Sequence, residues 1–373
     1  MVQVRHEVGP RWVLHVDLDQ FIAAVEVLRR PELEGLPVVV GGRGDPTERG
    51  VVSTASYAAR EYGVGSGMPL RVALRKIPDA IFLPVDGPAY DAASAEVMAT
   101  LRSLTWGGVP VLLEVLGWDE AFLGPGADHG ELGDAAEFAE VVRAEVLEAT
   151  RLHCSVGIGD NKLRAKIATE FGKPRGSYQL TKDNWTEVMG ERPTNALWGI
   201  GNKTAKKLTA LGIDTVTQLG RADVDILAAE LGPTIGPWLG RLGRGVASAT
   251  VDPTPWVPRA HGREQTFQED LTDWADVEQA VRDLTTRVRE DILREGRPAV
   301  RVGIKVRFKP FFTVTRSLTL PGESTDEQEL ADAAVSLLDR VEKDRPVCLL
   351  GVRLEMAEVG GGGGPRAAST TTG

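Results

Sequence analysis

The sequence predicts a multidomain chain of α/β and α+β class, and three observations carry that prediction. Strand-patterned segments alternate with amphipathic helical ones through the first half. The stretch from Lys182 to about Gly243 reads as almost wholly helical, with repeated glycine stops. A segment with three prolines, "DPTPWVPR" (Asp252 to Arg259), then leads into a second alternation of strands and helices from Gly262 to about Glu358. A chain of 373 residues exceeds one ordinary core and suggests two to four domains.

The elements follow in order. "RWVLHVDL" is a buried strand that runs through Asp19 into a helix, and "LPVVVGG" is another strand. "GVVSTASYAAREYGVGSGMPL" reads as strand, turn and a short helix stopped by glycines. Ala89 to Leu104 is helical, and "VLLEVLGWDEAFLGP" is a hairpin bending at Gly117 to Asp119. Asp134 to Leu152 is a helix whose apolar positions include Ala135, Phe138, Val142 and Leu147. "HCSVGIG" is a strand, followed by the helix "DNKLRAKIATEFGK" with Asp160 as its cap. Past the linker come a strand, a helix over 273–295, a strand pair around 299–320, a helix over 325–341 and the strand "VCLLGVRLE". The tail "VGGGGGPRAASTTTG" is low-complexity and is expected to be disordered.

Composition narrows the function classes. With 42% hydrophobic and 26% charged residues the chain is that of a soluble globular protein. No apolar run is long enough for a membrane span, and "MVQVRHEVGPR" lacks an apolar signal core, so a cytoplasmic location is expected. Cys154 and Cys348 sit in apolar, strand-like contexts and read as buried thiols, which suits a reducing compartment. The net charge of −10 argues against a nucleic-acid partner until its distribution is considered. From Arg297 to Arg316 there are six basic residues and no acidic one, and from Arg151 to Lys182 seven basic against two acidic. A polyanion responds to the local patch rather than to the total.

The chemistry centres on acids. Asp17 and Asp19 end the first strand and would share a face if the strand continued, with Val13 and His15 behind them. Two acids at a strand end are often merely solvated, or cap the next helix. A second pair, Asp119 and Glu120, stands at the hairpin bend, where neighbouring side chains can reach one point. Two acidic clusters at strand ends suit a hard divalent cation with oxygen ligands. Without a histidine cluster or a Cys-x-x-Cys motif, zinc is not expected. Thr54, Tyr57 and Arg60 recur at three-residue spacing in "VVSTASYAAR", so one helical turn can present hydroxyl, phenol and guanidinium to a triphosphate; an ordinary amphipathic turn has the same spacing. Lys162 adds a cation at a helix start.

Two further segments carry basic patterns. "LWGIGNKTAKKL" reads as helix, turn, helix, with Gly199, Ile200 and Gly201 in the turn and Lys203, Lys206 and Lys207 following. Such a turn offers backbone amides to a phosphate without reading sequence, though a plain helical hairpin uses the same turn. In "VRVGIKVRFK", Val300, Val302, Ile304, Val306 and Phe308 alternate with a face bearing Arg301, Lys305, Arg307 and Lys309. The basic face could track a phosphate backbone or protect a sheet edge by charge.

Taken together, "HVDLDQFIAAVE", "VVSTASYAAR" with "YGV" and "SGMPL", "DEAFL", "CSVGIGDNKLRAKIATEFGKPRG" and "LWGIGNKTAKKLTALGI" closely resemble the Y-family, translesion DNA polymerases of the DinB, or DNA polymerase IV, type. The likeness runs from about Arg11 to Glu358 in family order, and "HVDLDQF" with "GWDEA" looks like a divergent actinobacterial branch. The resemblance implies a right-hand architecture: palm over 11–20 and 87–173, fingers over 21–86, thumb with a helix-hairpin-helix over 174–243, linker over 244–258 and little finger over 259–358. It implies that Asp17, Asp119 and Glu120, with the Leu18 backbone carbonyl, hold two Mg²⁺ ions, for which Mn²⁺ can substitute. Thr54, Tyr57, Arg60 and Lys162 would bind the incoming nucleoside triphosphate, and Gly199, Gly201, Lys203, Lys206 and the basic strand would bind primer-template DNA. Asp19 matches a family acid that is not a metal ligand and reads as structural.

The sequence departs from the family pattern at three points. Ile22 stands where most members carry a Phe or Tyr that excludes a ribose 2′-OH, so weak sugar discrimination is expected unless neighbouring Phe21 acts as the gate. Gly117 and Trp118 replace a serine and a small aliphatic residue before the acids. The tail shows no clamp-docking peptide, which puts sliding-clamp recruitment in doubt. A monomeric, low-fidelity polymerase without proofreading is the expectation. A DNA-binding scaffold with a degenerate palm and a palm-like nucleotide cyclase are the alternatives, and the intact acids and the basic C-terminal domain argue against them respectively.

Overall fold

The computed structural model describes residues 12–126 and 132–358. The low-complexity tail from Val359 onward, and Arg11 at the expected edge of the palm, lie outside the described residues. The chain divides into two compact units: one holds the residues up to Val38, Thr54–Ala58 and Val85–Pro255, the other Val39–Ser53, Ala59–Pro84 and the chain from Trp256. The segment 21–86, expected to form one fingers domain, is therefore shared between the two units.

The first unit is built on a six-stranded sheet in the order Thr105–Trp106, Val109–Val115, Glu120–Pro125, Val13–Leu18, Cys154–Gly159, Ser177–Leu180. Val13–Leu18 lies at its centre, antiparallel to both neighbours; only the last pair is parallel. Burial on both faces explains the near-continuous apolar reading of "WVLHV". Helices Gly87–Ser103 and Ala135–Thr150 pack on each other and on the sheet. The second of these buries Val146 and leaves Leu147 exposed, one position from the face expected.

Helix Lys162–Gly172 lies against Val13–Leu18, Cys154–Gly159 and Ser177–Leu180. It can come so close because Gly157 and Gly159 carry no side chain: a Cβ at Gly157 would stand 2.0 Å from the Ala165 carbonyl oxygen, and one at Gly159 2.4 Å from the Ala165 nitrogen. Its cap is Asn161, whose side chain accepts from the Arg164 amide at 3.0 Å, and not Asp160 as expected. Asp160 instead accepts from the Arg164 guanidinium at 2.6 Å and the Lys182 amide at 3.0 Å. Short helices from Trp185–Met189 to Ile235–Gly243 complete the unit around Leu208, Leu219, Leu227 and Leu239.

The second unit centres on a four-stranded antiparallel sheet in the order Ala260–Leu271, Val347–Met356, Ala299–Phe308, Phe312–Ser324. Helix Trp274–Glu295 lays Val277, Val281, Leu284, Val288 and Ile292 on it, at the spacing of one helical face. Val302, Ile304, Val306 and Phe308 are buried as the alternation predicts. A register shift between Ala299 and Arg301 buries Ala299 fully and leaves Val300 only half-buried. In the same unit Arg49 is tied to the end of strand Ala260–Leu271: it pairs with Asp270, its amide donates to Gln268 Oε1 at 2.7 Å, and its guanidinium donates to the Phe267 carbonyl at 3.1 Å. Cys154 is buried, Cys348 half-buried, and neither forms a disulfide.

Candidate active site

Asp17 and Glu120 are Cα partners across the antiparallel strands Val13–Leu18 and Glu120–Pro125. Asp119 adjoins them at the hairpin bend, and its carbonyl accepts from the Leu18 amide at 2.8 Å. The acids more than a hundred positions apart in sequence thus converge on one strand pair. Burial dominates their electrostatics. It pushes the Asp17 carboxyl up to about 6, with Lys173 pulling the other way. Asp119 is raised as well, by burial and by the adjacent Glu120 charge. Burial would also raise Glu120, but the Lys166 ammonium paired with it outweighs burial and holds it below the usual carboxylate range.

One helical face supplies the opposing charge. Lys162, Lys166, Thr169 and Lys173 recur at four- and three-residue steps, so they line the side of helix Lys162–Gly172 that runs along the central strand. Lys162 pairs with Glu114, which also accepts from the Asp252 amide at 2.7 Å, and stands 5.4 Å from the Phe122 ring centre. Lys166 pairs with Glu120 and approaches His15 Nε2 at 3.2 Å. Lys173 Nζ lies 3.0 Å from Asp17 Oδ2 and 2.8 Å from Glu170 Oε1. Lys162, which the resemblance assigns to the triphosphate, is engaged at Glu114 and is not the lysine beside Glu120 or Asp17. Lys166 and Lys173 hold those places, and their only signal in the sequence is the shared helical spacing.

His15 is 1% exposed, and burial lowers it to about 4, so it is neutral near pH 7. Its Nδ1 lies 2.8 Å from Thr169 Oγ1, and the Thr169 hydroxyl can itself donate to the Ala165 carbonyl at 3.1 Å. That order makes His15 Nδ1 the donor to Thr169 and leaves Nε2 as an acceptor for Lys166. Glu120 Oε2, 3.3 Å from Nε2, is then bridged to the ring through the lysine ammonium.

Asp19 is 4% exposed and lies just beyond the strand. It accepts from the Tyr57 hydroxyl at 2.7 Å, the Ser155 hydroxyl at 2.9 Å and the Arg175 amide at 2.9 Å. With its oxygens so occupied it braces the turn after Asp17. Tyr57 is fixed from its other end as well, since its amide donates to the Gln20 side chain at 2.5 Å. Thr54 starts the strand Thr54–Ala55, and Arg60 ends the helix Tyr57–Arg60 with its side chain exposed. In helix Phe21–Arg29, Phe21 is 3% exposed and packs inward, whereas Ile22 is half-buried. Trp118 is 40% exposed, but its indole N–H donates to Asp91 at 2.8 Å and its ring stands 6.1 Å from that of Tyr90.

Among the described residues no three His, Cys, Asp or Glu side chains are gathered tightly enough to hold a metal ion. Asp17 and Glu120 are instead turned into their lysine pairs.

Around the glycine turn, Gly199 has φ +94° with Trp238 against it, and nothing lies within 4 Å of where a Gly201 Cβ would be. Gly201 precedes helix Asn202–Ala210, from which Lys203 and Lys206 are exposed. On the C-terminal sheet, Gly262, Gly303 and Gly351 open a shallow groove bordered by Arg301 and Lys305. That face is not uniformly basic. Arg301 lies 4.0 Å from Glu355, Lys305 pairs with Glu264, Arg307 donates to Thr313 at 3.0 Å, and Lys309, past the strand end, lies 3.7 Å from Asp270.

Comparison with known proteins gives the family. Residues 16–170 match the model of the impB/mucB/samB family, and residues 258–362 match that of its C-terminal domain. The chain is 51% identical over 350 residues to DNA polymerase IV 2 of Mycobacterium tuberculosis (strain ATCC 25618 / H37Rv), covering 94% of this chain and 99% of that one. It is 40% identical over 355 residues to DNA polymerase IV of Methanoculleus marisnigri, covering 94% and 96%. Among solved structures it is similar to a Y-family DNA polymerase chimera, Dbh-Dpo4(243-245)-Dbh, at TM-score 0.80 and 26% identity, covering 92% of this chain and 98% of that one. DinB from Sulfolobus solfataricus matches at TM-score 0.60, 26% identity and the same coverage.

The chain belongs to the Y-family of DNA polymerases. Within it the chain is of the DNA polymerase IV (DinB) type, a DNA-directed DNA polymerase of the translesion class. Among the described residues no helix is long and apolar enough to cross a membrane.

Proposed function

We propose that this polymerase extends a primer 3′-OH by two-metal phosphoryl transfer with release of pyrophosphate, and that it discriminates weakly against ribonucleotides. The observation that carries the reading is the cross-strand pairing of Asp17 with Glu120, with Asp119 alongside. This all-carboxylate, partly dehydrated donor set suits Mg²⁺ or Mn²⁺. Asp17, Asp119, Glu120 and the Leu18 carbonyl would hold the ions. When bound, these lower the pKa of the attacking hydroxyl and neutralise charge on the triphosphate and departing pyrophosphate.

The remaining roles belong to the chain's own residues. Thr54, Tyr57 and Arg60 bind the triphosphate, and Lys166 takes the part first given to Lys162, because Lys166 stands at Glu120 and Lys162 is engaged at Glu114. Asp19 orients Tyr57. Ile22, partly open where Phe21 is buried, sits under the sugar and leaves room for a 2′-OH. Gly199, Gly201, Lys203 and Lys206 hold the duplex by its phosphates, as do Arg301, Lys305 and Arg307. Lys305 contributes less than Lys309, because Lys305 is paired directly with Glu264 whereas Lys309 lies 3.7 Å from an Asp270 already held by Arg49.

Extension of a primed template by the purified protein, with and without Mg²⁺ or Mn²⁺, tests the reading. The Asp119→Ala variant is expected to lose extension by about a thousandfold or more while still binding DNA. Near-normal extension by that variant, or metal-independent extension by the wild type, would sink it.

A further inference from the structure

Lys166 and Lys173 occupy the two carboxylates, Glu120 and Asp17, that any divalent ion would need. Each is less than one-fifth exposed, so these ion pairs are not screened surface contacts. Each lysine also has a second partner within reach. Lys173 is 2.8 Å from Glu170 Oε1, and Lys166 is 3.2 Å from His15 Nε2 and 5.5 Å from the centre of the Trp198 ring. Neither ammonium would be stranded if its carboxylate were taken.

We infer that Lys166 and Lys173 are built-in counter-cations, which a divalent ion must displace and which are then handed to their second partners or to the incoming triphosphate. The inference rests on the proposed metal site and adds a consequence that site does not require. Removing either lysine should improve metal binding, because a competitor is gone. The two ligands should also help each other: a metal on Glu120 frees Lys166 for phosphate, and phosphate on Lys166 frees Glu120 for metal. Such coupling is reciprocal by necessity.

The test is Mn²⁺ binding to the full chain, followed by the electron paramagnetic resonance of the free ion, with no turnover involved. Lys166→Gln and Lys173→Gln are each expected to bind Mn²⁺ on the order of fivefold more tightly than the wild type. Lys166→Arg, which keeps the charge, and Lys162→Gln, whose lysine lies at Glu114, should remain at the wild-type value. A non-hydrolysable deoxynucleoside triphosphate should tighten Mn²⁺ binding to the wild type more than to Lys166→Gln. Unchanged or weaker Mn²⁺ binding in both glutamine variants, with melting temperatures near wild type, overturns the inference while leaving the polymerase reading intact. If the wild type and every variant fail to bind Mn²⁺, the metal reading and this inference fall together.

Discussion

His15 and Asp17, two residues apart on the central strand, are displaced in opposite directions by the same burial. The imidazole is lowered to about 4 and the carboxyl raised to about 6. Burial disfavours whichever form is charged, and the two groups charge with opposite sign.

Their effects on stability therefore oppose each other. Between pH 6.5 and 4 the unfolded chain protonates His15 and the folded one does not, so this term removes stability as pH falls. Between pH 6 and about 4 the folded chain protonates Asp17 and the unfolded one does not, so that term adds stability as pH falls. Each is worth up to about 3 kcal/mol, and they largely cancel. Thermal melts in chelator from pH 7 to 4 should show Asp17→Asn losing stability with acid more steeply than wild type, and His15→Gln less steeply. Parallel curves for all three would contradict the assignment.

The neighbouring lysines should separate kinetically. Lys166→Gln is expected to raise KM for the incoming nucleotide by about tenfold or more, through loss of a charge-assisted phosphate contact. Lys162→Gln should leave KM within about twofold and act mainly on melting temperature, because Lys162 secures Glu114, which also accepts from the Asp252 amide. Steady-state kinetics on a primed template distinguishes them, and the reverse order would return the phosphate role to Lys162.

Sugar choice should depend on Ile22 and not on Phe21. Ile22→Phe is expected to cut ribonucleotide insertion by about tenfold or more while changing deoxyribonucleotide insertion little, a steric effect on substrate choice. Phe21→Leu should lower stability by roughly 1 kcal/mol without shifting the ratio, because Phe21 packs inward. Parallel assays with both nucleotide types read this directly; a wild type that already rejects ribonucleotides and is unaffected by Ile22→Phe would refute it.

Phosphate contacts should appear in the salt dependence of DNA binding. Arg301→Ala and Lys203→Ala are each expected to weaken binding uniformly across sequences and to reduce the salt slope by about one. Lys305→Ala should change the slope least, because its ammonium is already paired with Glu264. Filter-binding or anisotropy titrations at several salt concentrations would reveal the order.

The acids were legible because a buried strand ending in carboxylates is physically odd, and a second pair at a hairpin bend answers it. The structural role of Asp19 came only with the family resemblance, and its three donors supply the physical reason. What the sequence left open were distinctions finer than one helical turn. Lys162 and Lys166 share a face, and only the docking height of their helix decides which meets Glu120. Asp160 and Asn161 are both good caps, and the choice fell to the residue whose oxygen reaches the Arg164 amide. The strict alternation through Val300 failed at a register shift with no local signature. The division of 21–86 between two units depends on long-range pairings such as Arg49 with Asp270, which no short window contains.

Gly157 has a consequence for how tolerance to substitution would be interpreted here. It touches no reacting group, yet a single methyl there would push the lysine-bearing helix off the sheet and carry His15's partner Thr169 with it. A saturation screen scored on survival would rank this glycine beside the carboxylates. Only an assay that reports folding and turnover separately could tell a missing floor from a missing tool.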